Sequence, residues 1–169
     1  MHNKSSLDNL ETWIENWIHR LNSRYIDPNG QKCPYAKSVL DNNRLKIVKM
    51  PNAAPIDFWS KITTESNNLN TDLDVIVVAT ETNKELYGHF FVTNGGVDAL
   101  NCTFNVQNKD VWLLSACNDD YTIVFIQRIT DIDDASKVLD EQGTYYKKMT
   151  TEYYNKFVLQ RRILRERLT

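Results

Sequence analysis

The run Val75-Ile76-Val77-Val78-Ala79 is the longest unbroken apolar stretch in the chain, and it limits what the chain can become. Five residues are strand-sized, far short of the ~20 that a membrane-spanning helix needs. A strand without a polar face must be covered on both sides. Asp74 to Thr80 therefore reads as a central strand, and other elements have to pack over it.

The rest of the chain supplies them. Leu7, Leu10, Ile14, Trp17, Leu21 and Tyr25 recur at helical spacing, which predicts an amphipathic helix over 6–26. Ser5 or Ser6 can cap it, and Asp27-Pro28-Asn29-Gly30 stops it. Cys33 to Leu40 reads as a short helix with Pro34 at its start, where the missing N–H costs nothing. Leu45 to Met50 alternates, as a strand with one solvated face does. A short helix over 55–66 carries Ile56, Trp59 and Ile62 on one face. Glu81 to Thr93 reads as a helix ending at Asn94-Gly95-Gly96, whereas 97–109 fits neither period. Val111–Ala116 and Thr122–Gln127 read as a hairpin. Asp131 or Asp133 is placed to cap a helix that runs to Gly143. Thr150 is placed to cap the last helix, with Met149 stapled to Tyr154 and an apolar stripe of Tyr153, Phe157, Leu164 and Leu168. This order predicts one α+β domain over 1–169, a single sheet of about four strands, partly antiparallel, with helices packed on it.

Composition narrows the function classes. The 20 Lys+Arg and 22 Asp+Glu leave a net charge of −2, so no global charge recruits a polyanion. The polar stretch Met1 to Leu10 lacks the apolar core of a signal peptide, and a cytoplasmic protein is expected. Cys33, Cys102 and Cys117 are odd in number and widely spaced, which fits reduced thiols. His2, His19 and His89 form no ligand spacing and no Cys-x-x-Cys pair exists, so neither a metal nor a cofactor is expected. The 18 Asn, 12 Lys and 12 Ile against 7 Ala reflect AT-rich codons, as in a phage or a marine bacterium. No phosphate loop, nucleophile elbow or dinucleotide fingerprint is present, which argues against nucleotide-driven enzymes and common hydrolases.

Cys33 is the residue with the sharpest chemistry. A thiol ahead of a helix feels the partial positive charge of free backbone N–H groups, which favours the thiolate. Lys32 and Lys37 add charge beside it. His89, mid-helix beside Phe90 and Phe91, is a candidate base, and Tyr35, Lys37 and Trp17 are candidate substrate contacts. The plainer alternatives are a small buried cysteine and a packing histidine. Cys33-Pro34-Tyr35-Ala36 also resembles the glutaredoxin motif Cys-Pro-Tyr-Cys, but no buried strand precedes it and no Thr-Val-Pro segment follows.

The segments Trp13-Ile14-Glu15-Asn16-Trp17-Ile18, Leu21-Asn22, Cys33-Pro34-Tyr35-Ala36 and Leu45-Lys46-Ile47-Val48 together resemble a bacterial family of unknown function. Its members begin with a Trp-containing helix, then Cys-Pro-Phe/Tyr-Ala, then a strand. The resemblance covers residues 13–50 and implies grouping and fold, with no established activity. This chain differs by its Ser23–Lys32 insertion. It also has Ser115-Ala116-Cys117-Asn118-Asp119 where members carry a Phe-His-Pro-type segment, so a role for that histidine does not carry over.

Residues 145–169 form the second candidate site. Lys147, Lys148, Lys156, Arg161, Arg162, Arg165 and Arg167 against Glu152 and Glu166 give this segment +5 and leave −7 on the rest. Tyr145, Tyr146, Tyr153 and Tyr154 interleave with the charge, as in surfaces that neutralise phosphates and stack on bases. Lys156, Arg161, Arg162 and Arg165 are the candidate partner-binding residues. The alternatives are a solvated basic face or docking on the protein's own acidic body or a second subunit. Asp119-Asp120 and Asp131 with Asp133-Asp134 could bind a cation or do acid–base work, although turn and cap propensity explains both groups without any function. The expected function is an accessory or interaction protein that binds a protein partner or itself. The alternatives are a thiol enzyme built on Cys33 and a nucleic-acid binder built on the last helix. No membrane partner is expected.

Overall fold

The computed structural model describes residues 6–14, 39, 41–82, 95–117, 121–143, 146–148 and 150–168. Strands β1 (Leu45–Lys49), β2 (Val75–Glu81), β3 (Trp112–Cys117) and β4 (Tyr121–Gln127) make one mixed sheet in the order β1-β2-β4-β3. β1 runs parallel to β2, with Leu45 opposite Val75. β4 runs antiparallel to both neighbours, so that Ile76 and Leu113 both stand opposite Ile126. The architecture is α+β with a single four-stranded sheet, as the sequence predicts.

β2 and β4 are the interior strands, and Val75–Thr80 and all of β4 are buried. Alternate residues point to opposite faces. Ile76, Val78, Val124, Ile126 and Leu113 meet Phe58 and Ile62 of α1 (Pro55–Asn68) and Val97 and Phe104 of α2 (Gly96–Val106). Val75, Val77, Ala79, Ile123 and Phe125 meet Leu7, Leu10, Ile14 and Val39 on the other face. Ser6–Asn9 form a 3-10 turn that leads into the helical residues 10–14. The remainder of the helix predicted to residue 26 lies outside the described residues. So do Cys33–Leu40 apart from Val39, residues 83–93 of the predicted Glu81–Thr93 helix, and Met149.

α3 (Ile129–Gln142) follows β4 directly. The C-terminal helix, α4, comprises Thr151–Tyr154, one wider π turn over Asn155–Leu159, and Gln160–Glu166. Trp112, Ile129 and Leu164 form a small third cluster that joins β3, α3 and α4, with Ile132 and Leu168 against it.

Four local features differ from the sequence expectation. Residues 97–109 are mostly helix α2. Its period is obscured because Asn101 and Asn105, both buried, occupy positions that an apolar residue would normally take. Gly95, at φ +72, opens this helix. The start of α3 is held by Asp110, which accepts from Thr130 N–H at 3.0 Å and Thr130 Oγ1 at 2.5 Å, and not by Asp131 or Asp133. Asp74 stands outside β2, where Arg44 and Arg128 each reach it at 2.8 Å. Along α4 the buried positions are Val158, Arg161 and Leu164, while Tyr153 is exposed. The π turn adds a residue to one turn and shifts the phase of the stripe. Thr150 does cap α4, accepting from Tyr153 N–H at 3.2 Å.

Candidate interaction surface

α4 lies between α2 and α3, and the two flanks hold it by different chemistry. On the α2 side, Asn105 Nδ2 donates to the Leu164 carbonyl at 2.7 Å, and Lys156 Nζ lies 3.6 Å from Asp98. Both pairs advance in the same chain direction, so α2 and α4 run side by side in parallel. Under α2, Asn101 bonds the backbone of Leu113 in β3 through both ends of its amide.

On the α3 side the contact is ionic. Asp133, only 1% exposed, is the centre of the cluster. Its Oδ2 lies 3.0 Å from Arg165 Nη1 and 3.5 Å from Lys137 Nζ, and its Oδ1 faces Arg162 Nε at 3.5 Å and Arg161 Nε at 3.8 Å. Asp133 Oδ1 and the two Nε atoms have no hydrogen-bond partner, so these long contacts are electrostatic. Arg165 also reaches Asp134 at 2.5 Å, and Arg162 reaches Asp140 at 2.7 Å. The buried Arg161 donates to Ser136 Oγ at 2.5 Å, and Ser136 in turn bonds Tyr146 Oη. Burial pulls the Arg161 pKa down, against the opposing influence of Tyr146 and Asp133. Tyr154 donates to Asp140 Oδ2 at 2.6 Å, and burial followed by that bond raises its phenol above the ordinary value.

The structure therefore separates the candidate partner-binding residues. Arg161, Arg162 and Arg165 turn inward onto carboxylates of α3, and Lys156 remains at the surface near Asp98. Asp133 and Asp134, where sequence predicts turn or cap residues, are partners of these arginines within α3. Asp131 pairs with Arg128 at 2.5 Å. Cys102 is an exposed free thiol on α2.

The outward side of α4 carries Leu159, 39% exposed, and Ile163, 52% exposed, one helical turn apart. Glu166 and Lys156 stand at its two ends, both exposed. Val106 at the end of α2 and Val138 on α3 are also exposed apolar side chains. An open cleft of about 320 Å³ lies beside the start of α4, lined by Asp140, Tyr146, Lys147 and Tyr154 among others. A smaller one of about 90 Å³ separates Phe157 and Lys156 from β3. Neither holds a reactive constellation.

Trp17, Cys33, Tyr35, Lys37, His89 and Asp119-Asp120 lie outside the described residues. At the sheet end where β2 gives way to the segment that carries His89, Glu81 stands opposite Tyr121 and Trp13 packs on Tyr121 with ring centres 5.7 Å apart. Among the described residues no group of three or more His, Cys, Asp or Glu could hold a metal ion, and no helix is long and apolar enough to cross a membrane.

The surface pair Leu159 and Ile163 was legible only as two apolar residues off the predicted stripe. Nothing local marked Asp133 and Asp140 as partners of the arginines, because they are more than 20 residues away in sequence. Compared with known protein families, curated proteins and solved structures, the chain matches none.

Proposed function

We propose that this is an accessory protein that acts by binding another protein through the outward face of α4. The observation that carries this reading is the division of the helix. Arg161, Arg162 and Arg165 are committed to Asp133, Asp134 and Asp140, whereas Leu159 and Ile163 remain in solvent. Adjacent exposed apolar side chains can form the core of a protein-binding surface when polar residues surround them. The same division weakens the nucleic-acid reading, since a guanidinium paired within the fold has to give up its carboxylate before it can neutralise a phosphate. The thiol reading gains no support from the described residues.

The test compares the native chain with Leu159→Asp and Ile163→Asp as baits in the cells that make it. The reading requires one protein that is recovered in near-stoichiometric amount with the native chain. That protein must be lost with both variants and must bind directly once purified. Equal recovery with native and variant chains overturns it.

A further inference from the structure

α4 is attached to the body of the protein by little apolar surface. Along Thr151–Glu166 the buried apolar side chains are Val158 and Leu164 alone. No side chain of α4 belongs to either cluster that covers the sheet. Its apolar anchor is Leu164, set against Trp112 and Ile129 in the small third cluster. The clefts of about 320 Å³ at its start and about 90 Å³ between Phe157 and β3 leave its first half short of close packing. Both sheet cores can therefore outlast the departure of α4.

What holds the helix is mainly charge, and the charges are imperfectly met. Among the described residues the buried side-chain atoms without a hydrogen-bond partner are Asp133 Oδ1, Arg161 Nε and Arg162 Nε, and all three lie between α3 and α4. Their separations of 3.5 and 3.8 Å exceed hydrogen-bond length. Arg161 is enclosed, and its hydrogen bond to Ser136 is to a neutral oxygen. Burial lowers its pKa, so the cation is better solvated once the helix has left. A buried ion pair recovers little more than its desolvation cost, and one with orphaned atoms recovers less. The better-formed pairs, Arg162 with Asp140 at 2.7 Å and Arg165 with Asp134 at 2.5 Å, are partly solvated and so are open to screening by salt.

We infer that α4 is a separable latch, which leaves α2 and α3 as one unit while the sheet and both of its cores remain folded, and that ionic strength sets how often it opens. Opening releases Arg161, Arg162 and Arg165 to solvent and uncovers Trp112 and Ile129. The latch is independent of what binds the outward face. A helix of this length is marginal on its own in water, so it unwinds when it leaves and its amides exchange.

Native-state hydrogen exchange of the full chain, read residue by residue, tests this. Amides of residues 158–165 should share one opening constant, with protection at least about 100-fold below that of β2 and β4. That constant should rise about threefold between about 0.05 M and about 0.5 M sodium chloride, while β2 and β4 change less. Asp134→Ala removes one of the solvated pairs and should make the rise shallower. Protection of α4 equal to that of β2 and β4 overturns the latch, because the helix then opens only when the whole fold does. A steady fall in protection toward the C-terminus assigns the exchange to fraying and overturns it too. An opening constant that ignores salt, or the same rise in native and Asp134→Ala chains, overturns the ionic control.

Discussion

Asn101 and Leu113 exchange two hydrogen bonds. Leu113 N–H donates to Asn101 Oδ1 at 2.7 Å, and Asn101 Nδ2 donates to the Leu113 carbonyl at 3.0 Å. Among the described strands β3 lies at the edge of the sheet, so on its outer side these backbone groups face no described strand. The amide stands in for one, and α2 covers an edge that would otherwise be open to pairing with another chain.

Replacing Asn101 with Ala leaves a buried donor and a buried acceptor on Leu113 unsatisfied. The expected loss is about 2–4 kcal/mol, read from urea unfolding. Asn101→Leu should fall in the same range, because it restores volume without the bonds. A loss below about 0.5 kcal/mol would mean that the strand edge is not sealed by this side chain.

Asp133 faces the cations of Arg161, Arg162, Arg165 and Lys137. Asp133→Asn removes the buried carboxylate that faces Arg161, so it should cost about 3–5 kcal/mol. It should also speed amide exchange selectively across residues 155–166. Asp134→Ala, at an exposed partner of Arg165, should cost less than about 1 kcal/mol. Equal effects at the two sites would remove Asp133 from the centre of the cluster.

Glu65 is nearly enclosed, and burial pushes its pKa up. Hydrogen bonds from Lys46 at 2.6 Å and Lys61 at 3.0 Å outweigh that, and the net pKa lies below the ordinary carboxylate value. A depressed folded-state pKa means stability that is present above the unfolded pKa of about 4.3 and is lost as pH falls through the folded value. Both lysines are partly solvated, so their loss of a partner is softened by water. Glu65→Gln should therefore cost about 1–2 kcal/mol at pH 7. The gap between native and variant should narrow below pH ~4. A gap independent of pH would assign the effect to packing.

Ile163 is half exposed, and charge there should leave the fold intact. Ile163→Asp is expected to change the unfolding free energy by less than about 1 kcal/mol. A larger loss would place this side chain within the fold rather than on an interaction surface.

Much of the fold was legible along the chain. The unbroken run at Val75–Ala79 required a strand covered on both faces, and alternation or apolar runs marked the other three strands. Thr150 marked a helix start and Gly143 a helix end, because capping and φ preference are local properties. Other features depend on residues far apart in sequence. Asn101 and Asn105 read as interruptions of a helix until Leu113 and Leu164 are seen to need their amides. The basic segment at 145–169 left open whether its arginines serve a partner or the protein's own acidic body, and only the fold shows Asp133, Asp134 and Asp140 facing them. A period shows which side chains share a face, and a charge total shows how much field a segment carries. Neither shows which distant group satisfies a buried amide or guanidinium, because the tertiary fold alone sets that distance.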